Sequence, residues 1–526
     1  MHRVFSCKPY NRHHIFASLI QNYIAMKHKI IILTVMLLAA FSLCAQWHPE
    51  AQMDVNNVKT DFYGTGNFGI MRGGNGSYGI GYVENFRVPA NGDAGTIYSN
   101  TLWIAGLDGN ANIHCSAVRF NQVGDDFWSG PLRVNDGSTD IYAVMDYHHV
   151  WKVRRSDIEA IINNTAADIP EDILTWPAHG NVEDGYAANL APFVDTDNDG
   201  IYDPRKGDYP DILGDMALYC IYNDNYSAHT ESGGEAFGFE LHCMLYGFYA
   251  PGDEMLNNTL FMRTWIYNRS NNDYNNVYVG NWTDFDIGYA LDDFIGCNVE
   301  RGYYYGYNAL PIDGNGEPES YGHNPPAQMV MILGGPDMPA DGVDNPKFDE
   351  NGFQIVDESV NGLGFGDGVV DNERLGMCSF VYHTNDVTYH GDPENAEEYY
   401  RLLKAEWKNG VKIHYGGNGF PGSEGVTDIP CRFMYPHNSD PDNWGTGGVN
   451  PGVQEWCEET AVDGSPNDDG DRRGLASSGP FNFGSGEVHV IDKAFVTYWP
   501  SDAFDRDEMN EWADYIRNYF INNLNK

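Results

Sequence analysis

Short runs of apolar and aromatic residues alternate along the chain with turns rich in glycine, asparagine and aspartate. This alternation predicts antiparallel strands, because successive side chains of a strand point to opposite faces of its sheet. We therefore expect a mainly β protein built from antiparallel β-sandwich or jelly-roll-like domains, with a few short helices. Two hairpins are predicted, Thr101–Ile104 with His114–Phe120 around Asp108–Asn110, and Leu260–Tyr267 with Asn276–Trp282 around Asn271–Asp273.

Three segments carry helix signals. Ser156 and Glu159 have the spacing of a capping box, in which each side chain accepts a backbone N–H at the start of a helix. Asp392, which a proline follows, predicts the start of a second helix, and Gly410 predicts its end. An amphipathic C-terminal helix is expected within residues 501–526. Its apolar stripe consists of Met509, Trp512, Ala513, Ile516, Phe520 and Leu524.

The beginning of the chain has the features of an export signal. A basic stretch at Lys27–Lys29 precedes an apolar run at Ile30–Phe41, and the small residue Ala45 offers a cleavage position. The run is shorter than the roughly 20 residues that a membrane-spanning helix needs. We therefore interpret residues 26–45 as a signal peptide and residues 1–25 as an extension upstream of the true start. The sequence predicts a secreted or cell-surface protein that does not span the membrane, with the periplasm as the alternative.

The chain beyond the predicted leader is long enough for two or three domains. The segment Asp195–Gly214 is rich in glycine, aspartate and proline and marks the clearest boundary. We expect a β-rich domain at 46–194, an aspartate-rich loop or linker at 195–214, and one or more β-sandwich-like domains at 215–500.

Charge restricts the classes of partner. The chain has 75 acidic and 31 basic residues, a formal net charge of −44. The predicted leader contains no aspartate or glutamate, so the rest of the chain is more acidic still. Such a surface repels nucleic acid and anionic lipid, and bound divalent cations would relieve its self-repulsion. We expect no nucleic-acid partner.

The cysteines do not form a recognisable site. They are not arranged in CxxC pairs, so a zinc ribbon or a thioredoxin-type centre is not indicated. An oxidising compartment would permit up to three disulfides and one remaining thiol, and the sequence does not choose their pairing. The cysteines beyond the leader are Cys115, Cys220, Cys243, Cys297, Cys378, Cys431 and Cys457.

One aspartate-rich loop has the ligand spacing of a calcium site. Calcium binds six to eight oxygens, and alternate aspartates of a tight loop can supply them, with Gly200 at the sharp turn. An EF-hand would have glutamate at the twelfth position, where this chain has Lys206, so the loop is similar to the freestanding calcium loops of thrombospondin type 3 repeats. The alternative is a solvated acidic turn. The expected ligands are Asp195, Asp197, Asp199, the Ile201 carbonyl, Asp203 and Asp208.

Two further acidic clusters could bind a metal. Asp284, Asp286, Asp292 and Asp293 would be the ligands of a second site. Like charges that close need a cation or a raised pKa, although a turn-stabilising acidic loop and a glycosidase acid–base pair remain alternatives there. A weaker third cluster consists of Asp367, Asp371 and Glu373.

Four stretches resemble a known group of proteins. They are Asp195–Gly214 (DTDNDGIYDPRKGDYPDILG), Asp284–Cys297 (DFDIGYALDDFIGC), Phe365–Gly376 (FGDGVVDNERLG) and Asp471–Phe481 (DRRGLASSGPF). Together they are similar to large secreted proteins of the Bacteroidota, many of which the type IX secretion system exports. The resemblance covers most of residues 60–500 and implies a signal peptide, calcium-dependent β architecture and an extracellular location. Members usually end in a β-sandwich sorting domain, whereas this chain ends in the predicted helix.

These observations favour a non-enzymatic, calcium-stabilised extracellular protein with a structural or adhesive role. The alternative is a carbohydrate-active protein, either a glycan-binding module or a glycoside hydrolase, because 12 tryptophans and 34 tyrosines are suited to stacking on sugars. A glycan or a cell-surface protein is the expected partner, bound through the aromatic surface or the C-terminal helix.

Overall fold

Strands provide most of the regular structure. The computed structural model describes residues 49–69, 86–120, 124–351, 360–452, 455–461 and 464–525. The predicted leader and upstream extension lie outside these residues. The strands, in chain order, are β1 (Glu50–Met53), β2 (Thr60–Tyr63), β3 (Phe68–Gly69), β4 (Phe86–Arg87), β5 (Gly95–Leu107), β6 (Ile113–Ser116), β7 (Trp128–Ser129), β8 (Trp151–Arg154), β9 (Phe193–Val194), β10 (Tyr209–Pro210), β11 (Met216–Asn223), β12 (Phe239–Gly247), β13 (Thr259–Asn268), β14 (Tyr274–Phe285), β15 (Asp293–Asn298), β16 (Tyr303–Asn308), β17 (Ile312–Asp313), β18 (Gly322–His323), β19 (Ala327–Gly334), β20 (Ser379–His383), β21 (His414–Gly416), β22 (Val426–Pro430), β23 (Arg472–Phe483) and β24 (Val488–Tyr498).

Helices are fewer and mostly short. The α-helices are α1 (Ile141–Asp146), α2 (Arg155–Ile162), α3 (Glu171–Leu174), α4 (Glu254–Asn257), α5 (Ala396–Leu403) and α6 (Arg506–Asn523). Single 3-10 turns occupy Val182–Asp184, Trp444–Thr446 and Glu458–Thr460. Among the described residues no helix combines the length and apolar character needed to cross a membrane.

Two large sheets, with their strands counted over the described residues, form the architecture. Sheet A has nine strands in the order β1-β2-β3-β5-β14-β23-β20, with β4 and β6 also paired to β5. Sheet B has nine strands in the order β15-β16-β19-β24-β13-β12-β11-β7, with β8 also paired to β11. The ladders that build both sheets are antiparallel. The predicted mainly β, antiparallel sandwich class is confirmed.

The sheets face each other across a shared hydrophobic core. Phe68 of sheet A meets Phe495 of sheet B edge to face, with ring centroids 4.8 Å apart. A second core covers the other side of sheet B, where α6 and the helices between β8 and β11 pack. Sheet B is therefore buried on both faces, which agrees with the nearly unbroken apolar runs of β11, β12 and β19.

Strands on both sides of the segment 195–214 share the same sheets. β5 pairs with β14 in sheet A, and β8 pairs with β11 in sheet B. The described residues from Pro49 onward form one compact unit. The segment is thus a connection within this unit, between the strands of the predicted domains 46–194 and 215–500.

One of the two predicted hairpins is confirmed and the other is wrong. β5 pairs with β6 around a turn that Asp108 stabilises by accepting the backbone N–H groups of Asn110 and Asn112, each at 2.8 Å. β13 and β14, which contain the second predicted pair, do not pair with each other. β13 lies between β12 and β24 in sheet B, whereas β14 lies between β5 and β23 in sheet A. The polar residues between them carry the chain from one sheet to the other.

The predicted helix starts at Ser156 and Asp392 are wrong by a few residues. α2 already includes Ser156, since its N-cap is Arg154, which makes no side-chain cap. α5 begins after Asn395, whose side chain accepts the N–H of Glu398 at 3.2 Å. It ends before Lys404 and so does not extend to Gly410. At α5 the side chain of Asn395 therefore takes the capping role predicted for Asp392, whereas α2 begins without a side-chain cap.

The C-terminal helix is confirmed as α6. Asp505 caps it by accepting the N–H groups of Asp507 and Glu508. The predicted stripe is buried against sheet B, as the core there includes each of its members: Met509, Trp512, Ala513, Ile516, Phe520 and Leu524. The apolar side of α6 is therefore covered by the protein's own sheet.

The cysteines beyond the leader are present as thiols. Cys378 is half-buried, and the others are buried. Cys220 and Cys243 stand opposite each other on β11 and β12. The structure joins none of the described cysteines in a disulfide, so the predicted upper bound of three remains an upper bound.

Candidate metal centre

The aspartate loop, residues Asp195–Asp208, is held at both ends and along one side. β9 and β10 flank the loop as a short antiparallel pair. The N–H of Tyr202 donates to Nε2 of His179 at 3.0 Å, and the Tyr202 hydroxyl donates to the Ile173 carbonyl at 2.7 Å. The loop is thus attached to the helical segment beside it, with Asp197 and Asp199 exposed at the surface and Asp208 buried.

The structure groups the first three aspartates of the loop as the sequence predicts. One carboxylate oxygen from each of Asp195, Asp197 and Asp199 lies within 4.8 Å of the other two. Gly200 comes next, with a φ of 77°, a left-handed conformation that glycine adopts without strain. Oδ2 of Asp195 accepts the N–H of Gly200 at 2.8 Å, whereas its Oδ1 is shielded from solvent and accepts no hydrogen bond. Three converging carboxylates and an unsatisfied oxygen fit an oxygen-preferring cation such as calcium.

The remaining expected ligands have other contacts. Asp208 Oδ1 accepts the N–H of Thr196 at 2.8 Å, and its Oδ2 accepts the N–H of Asp203 at 2.9 Å. Asp203 in turn accepts the N–H of Arg205 at 3.0 Å. At Ile201 the N–H donates to Asp199 at 2.8 Å, a contact that does not involve the carbonyl predicted as a ligand. Asp203 and Asp208 therefore shape the loop backbone in this structure and do not join the three grouped carboxylates.

Lys206 places a positive charge beside the grouped aspartates. Its ammonium lies 2.7 Å from Asp199 Oδ2 and 3.7 Å from Asp197 Oδ2. The hydrogen bond from Lys206 lowers the pKa of Asp199 below its usual value, and the backbone N–H of Ile201 adds to this effect. The ammonium of Lys206 thus partly neutralises these aspartates and competes with a metal ion for them.

Replacing Lys206 by glutamate should tighten calcium binding on the order of tenfold, since affinity in such loops depends on the number of charged ligands. The change removes the competing ammonium and puts a carboxylate where an EF-hand has its bidentate ligand. Calorimetric titration with Ca²⁺ measures the Kd. Lys206→Arg keeps the positive charge and should bind like the wild type. Equal affinities for the two variants would show that Lys206 does not compete with the ion.

The second predicted cluster is divided between the two sheets. Asp284 and Asp286 lie at the end of β14 in sheet A and group with Asp471, again with one oxygen of each within 4.8 Å of the others. We call these three residues the sheet-A acidic centre. Asp293 begins β15 in sheet B and accepts the N–H of Ile287 at 2.9 Å. Asp292 beside it accepts the N–H of Gly314 at 2.9 Å. In the structure, therefore, Asp471 and not Asp292 or Asp293 completes the group with Asp284 and Asp286.

The carboxylates of the third predicted cluster accept backbone N–H groups from residues 341–345 and from Val369. Asp371 accepts the N–H groups of Asp341 and Gly342 at 2.7 and 2.8 Å. Asp367 accepts the N–H of Val369 at 2.8 Å, and buried Glu373 accepts the N–H of Asn345. Within the described segments 341–351 and 360–376, these three carboxylates do not converge as a metal group.

Comparisons with known proteins add no family to this geometry. The chain matches no protein-family model, and no curated protein is similar enough to count as a match.

Asp471 is the candidate ligand that sequence reasoning missed. It precedes β23, which pairs with β14 so that Arg473 is opposite Asp284. This register brings Asp471 close to Asp284. Both residues lie in stretches that carry the resemblance described above, but the resemblance does not indicate that the two stretches pair.

Proposed function

We propose that this protein is a secreted, calcium-binding β-rich protein of the cell surface or extracellular medium, with a structural or adhesive role and no catalytic one. The observation that carries the proposal is the convergence of Asp195, Asp197 and Asp199, together with the unsatisfied Oδ1 of Asp195. Oxygen-only ligands select hard cations, and calcium tolerates the irregular geometry of such loops. The export signal predicted at 26–45 supports a calcium-rich extracellular setting.

Calcium in this loop would act on stability. The ion would cancel the repulsion among three like charges at the surface and hold the loop against the helical segment around His179 and Ile173. An ion that binds only the folded state stabilises it by mass action, by about 1.4 kcal/mol at a tenfold excess over Kd. The loop joins β9 to β10, and the chain on its two sides leads to β8 and β11, which pair in sheet B, so this stabilisation would extend to the β-sandwich.

The placement of the aromatic residues supports the structural role over the carbohydrate-active alternative. Every tryptophan that the structure describes is buried or half-buried. Trp103, Trp282, Trp407 and Trp456 are among the largest fully buried side chains. The sequence's richness in aromatic residues is thus mainly a property of the core, where such rings contribute large buried areas. Screening the purified protein on a glycan array, with and without EDTA, would test the alternative directly.

Replacing Asp197 and Asp199 by alanine should remove the part of the stabilisation by calcium that the aspartate loop provides. We expect the wild type to melt at a higher temperature in Ca²⁺ than in EDTA. The double variant should show a smaller difference between its melting temperatures in Ca²⁺ and in EDTA than the wild type, and its value in EDTA should be close to that of the wild type. Differential scanning calorimetry of the purified protein measures these values.

The matched control removes two exposed aspartates elsewhere, Asp428 and Asp502. This double alanine variant changes the net charge equally and should keep the full response to calcium. If the loop variant responds to calcium as strongly as this control, the loop is not the calcium site and the proposed function loses its main support.

A further inference from the structure

One guanidinium is shared by several carboxylates at the outer face of sheet A. Arg473 on β23 lies 3.2 Å from Asp284 of β14. The same side chain lies 3.3 Å from Asp471 and 3.1 Å from Asp392. Arg119 gives Asp392 a second positive partner at 2.8 Å. Asp284 and Asp471 therefore compete for the positive charge of Arg473, which Asp392 also shares.

These contacts leave buried oxygens unsatisfied. Asp284 is 2% exposed, and its Oδ1 accepts no hydrogen bond although it forms an ion pair with Arg473. Oδ1 of Asp471 is also shielded from solvent and accepts none. Burial raises the pKa of Asp284 well above its usual value; Arg473 opposes this shift and Asp471 adds to it. A buried carboxylate with too little compensation gains either a proton or a cation.

The geometry suits a cation. The grouped oxygens of Asp284, Asp286 and Asp471 lie within 4.8 Å of one another. Ligands on opposite sides of a calcium ion are about 5 Å apart, because each Ca–O bond is about 2.3–2.6 Å long. All three oxygens can therefore contact one ion. Asp286 and Asp471 are only half-buried, so the ion can enter from solvent and water can complete its coordination.

We propose that the sheet-A acidic centre binds one divalent cation of the oxygen-preferring class, Ca²⁺ or Mg²⁺. This proposal extends the calcium-binding function proposed above and rests on it. The ion would join the end of β14 to the start of β23. Asn385 donates to Oδ2 of Asp471 at 2.9 Å, so the ion would also order the connection that leaves β20 and carries Asp392.

The test counts the ions bound to the purified full chain. The protein is equilibrated with Ca²⁺ alone or Mg²⁺ alone, free metal is removed by gel filtration, and bound metal is measured by inductively coupled plasma mass spectrometry. Asp286→Ala removes one ligand and leaves the ion pairs of Arg473 in place. It should bind one ion fewer than the wild type, and Asp471→Ala should lose the same ion. Asp428→Ala, at an exposed position, should match the wild type.

The outcomes separate this inference from the proposed function. If Asp286→Ala and Asp471→Ala keep all ions while the Asp197/Asp199 double variant loses one, a proton neutralises Asp284 and this inference is overturned. If the double variant keeps all its ions while Asp286→Ala loses one, the proposed aspartate-loop site fails and the sheet-A acidic centre stands. If the Asp197/Asp199 double variant loses one ion and Asp286→Ala loses another, both the aspartate-loop site and the sheet-A acidic centre are supported. If neither variant loses an ion, both sites are overturned.

Discussion

Replacing Trp512 by alanine should lower the free energy of unfolding by about 3–5 kcal/mol, as truncations of large core side chains do. Trp512 is 5% exposed, and its ring meets that of Tyr498 edge to face at 5.6 Å. Met509, Ile516 and Phe520 are fully buried on the same side of α6. The alanine would leave a cavity between α6 and sheet B. Chemical denaturation of both proteins, extrapolated to water, measures the difference.

Asn518→Ala is the control on the same helix. Asn518 is exposed, so its replacement should change the free energy of unfolding by no more than about 0.5 kcal/mol. A loss for Trp512→Ala as small as that of the control would mean that α6 does not stabilise the folded chain. The contacts of the helix with sheet B would then contribute nothing measurable to the free energy of unfolding.

α6 could be predicted from the sequence because its signal is local. The period of its apolar stripe and the spacing of its charged residues depend only on neighbours within a few turns. The stripe of Met509, Trp512 and Ile516 therefore identified both the helix and the side that packs. Its partner surface on β19 and β24 could not be predicted, since any apolar sheet face satisfies the same stripe.

Strand pairing needed information that the sequence does not contain locally. The segments of β13 and β14 have the alternation of strands and a polar turn between them, which is what a hairpin requires. In the structure each joins a different sheet. Both are central strands and need partners on either side, and β23 and β24, far along the chain, supply one partner to each.

The candidate metal ligands, too, could be predicted where they are close in the sequence and not where strand pairing brings them together. Asp195, Asp197 and Asp199 could be predicted together because a loop brings near neighbours into one group. Asp284 and Asp286 were found as a pair, but their third member is Asp471. Asp292 and Asp293 are closer in sequence, yet the turn after β14 carries them to sheet B. Sequence distance is a poor guide to which carboxylates meet at the end of a sheet.

A charged residue between the sheets shows another limit of the sequence. Lys493 of β24 is 2% exposed and donates to Oδ1 of Asn281 on β14 at 2.6 Å. Burial lowers the pKa of Lys493 from 10.5 to about 8. Nothing in the pattern around it predicts an inward-pointing lysine. Its charge makes the core between the sheets less stable than an apolar side chain of the same size would.

Replacing Lys493 by methionine should therefore raise the free energy of unfolding by about 2 kcal/mol at pH 7. A pKa shift of this size corresponds to a burial penalty of about 3 kcal/mol, because each unit is about 1.4 kcal/mol. Asn281 loses its donor in the variant, which costs about 1 kcal/mol. Methionine has a similar length and would pack beside Phe495, whose ring lies 5.9 Å from the ammonium. Chemical denaturation at pH 7 measures the net gain.

The gain should disappear as the pH rises. Below about pH 8, Lys493 is charged in both the folded and the unfolded state, so the full penalty is present. Between about pH 8 and 10.5 the folded state releases its proton first; the unfolded state then binds more protons, and wild-type stability rises relative to the variant. Lys412→Met, at an exposed position, should show neither the gain nor this pH dependence. A constant difference between Lys493→Met and the wild type from pH 7 to pH 10 would mean that Lys493 is not buried as a charged group.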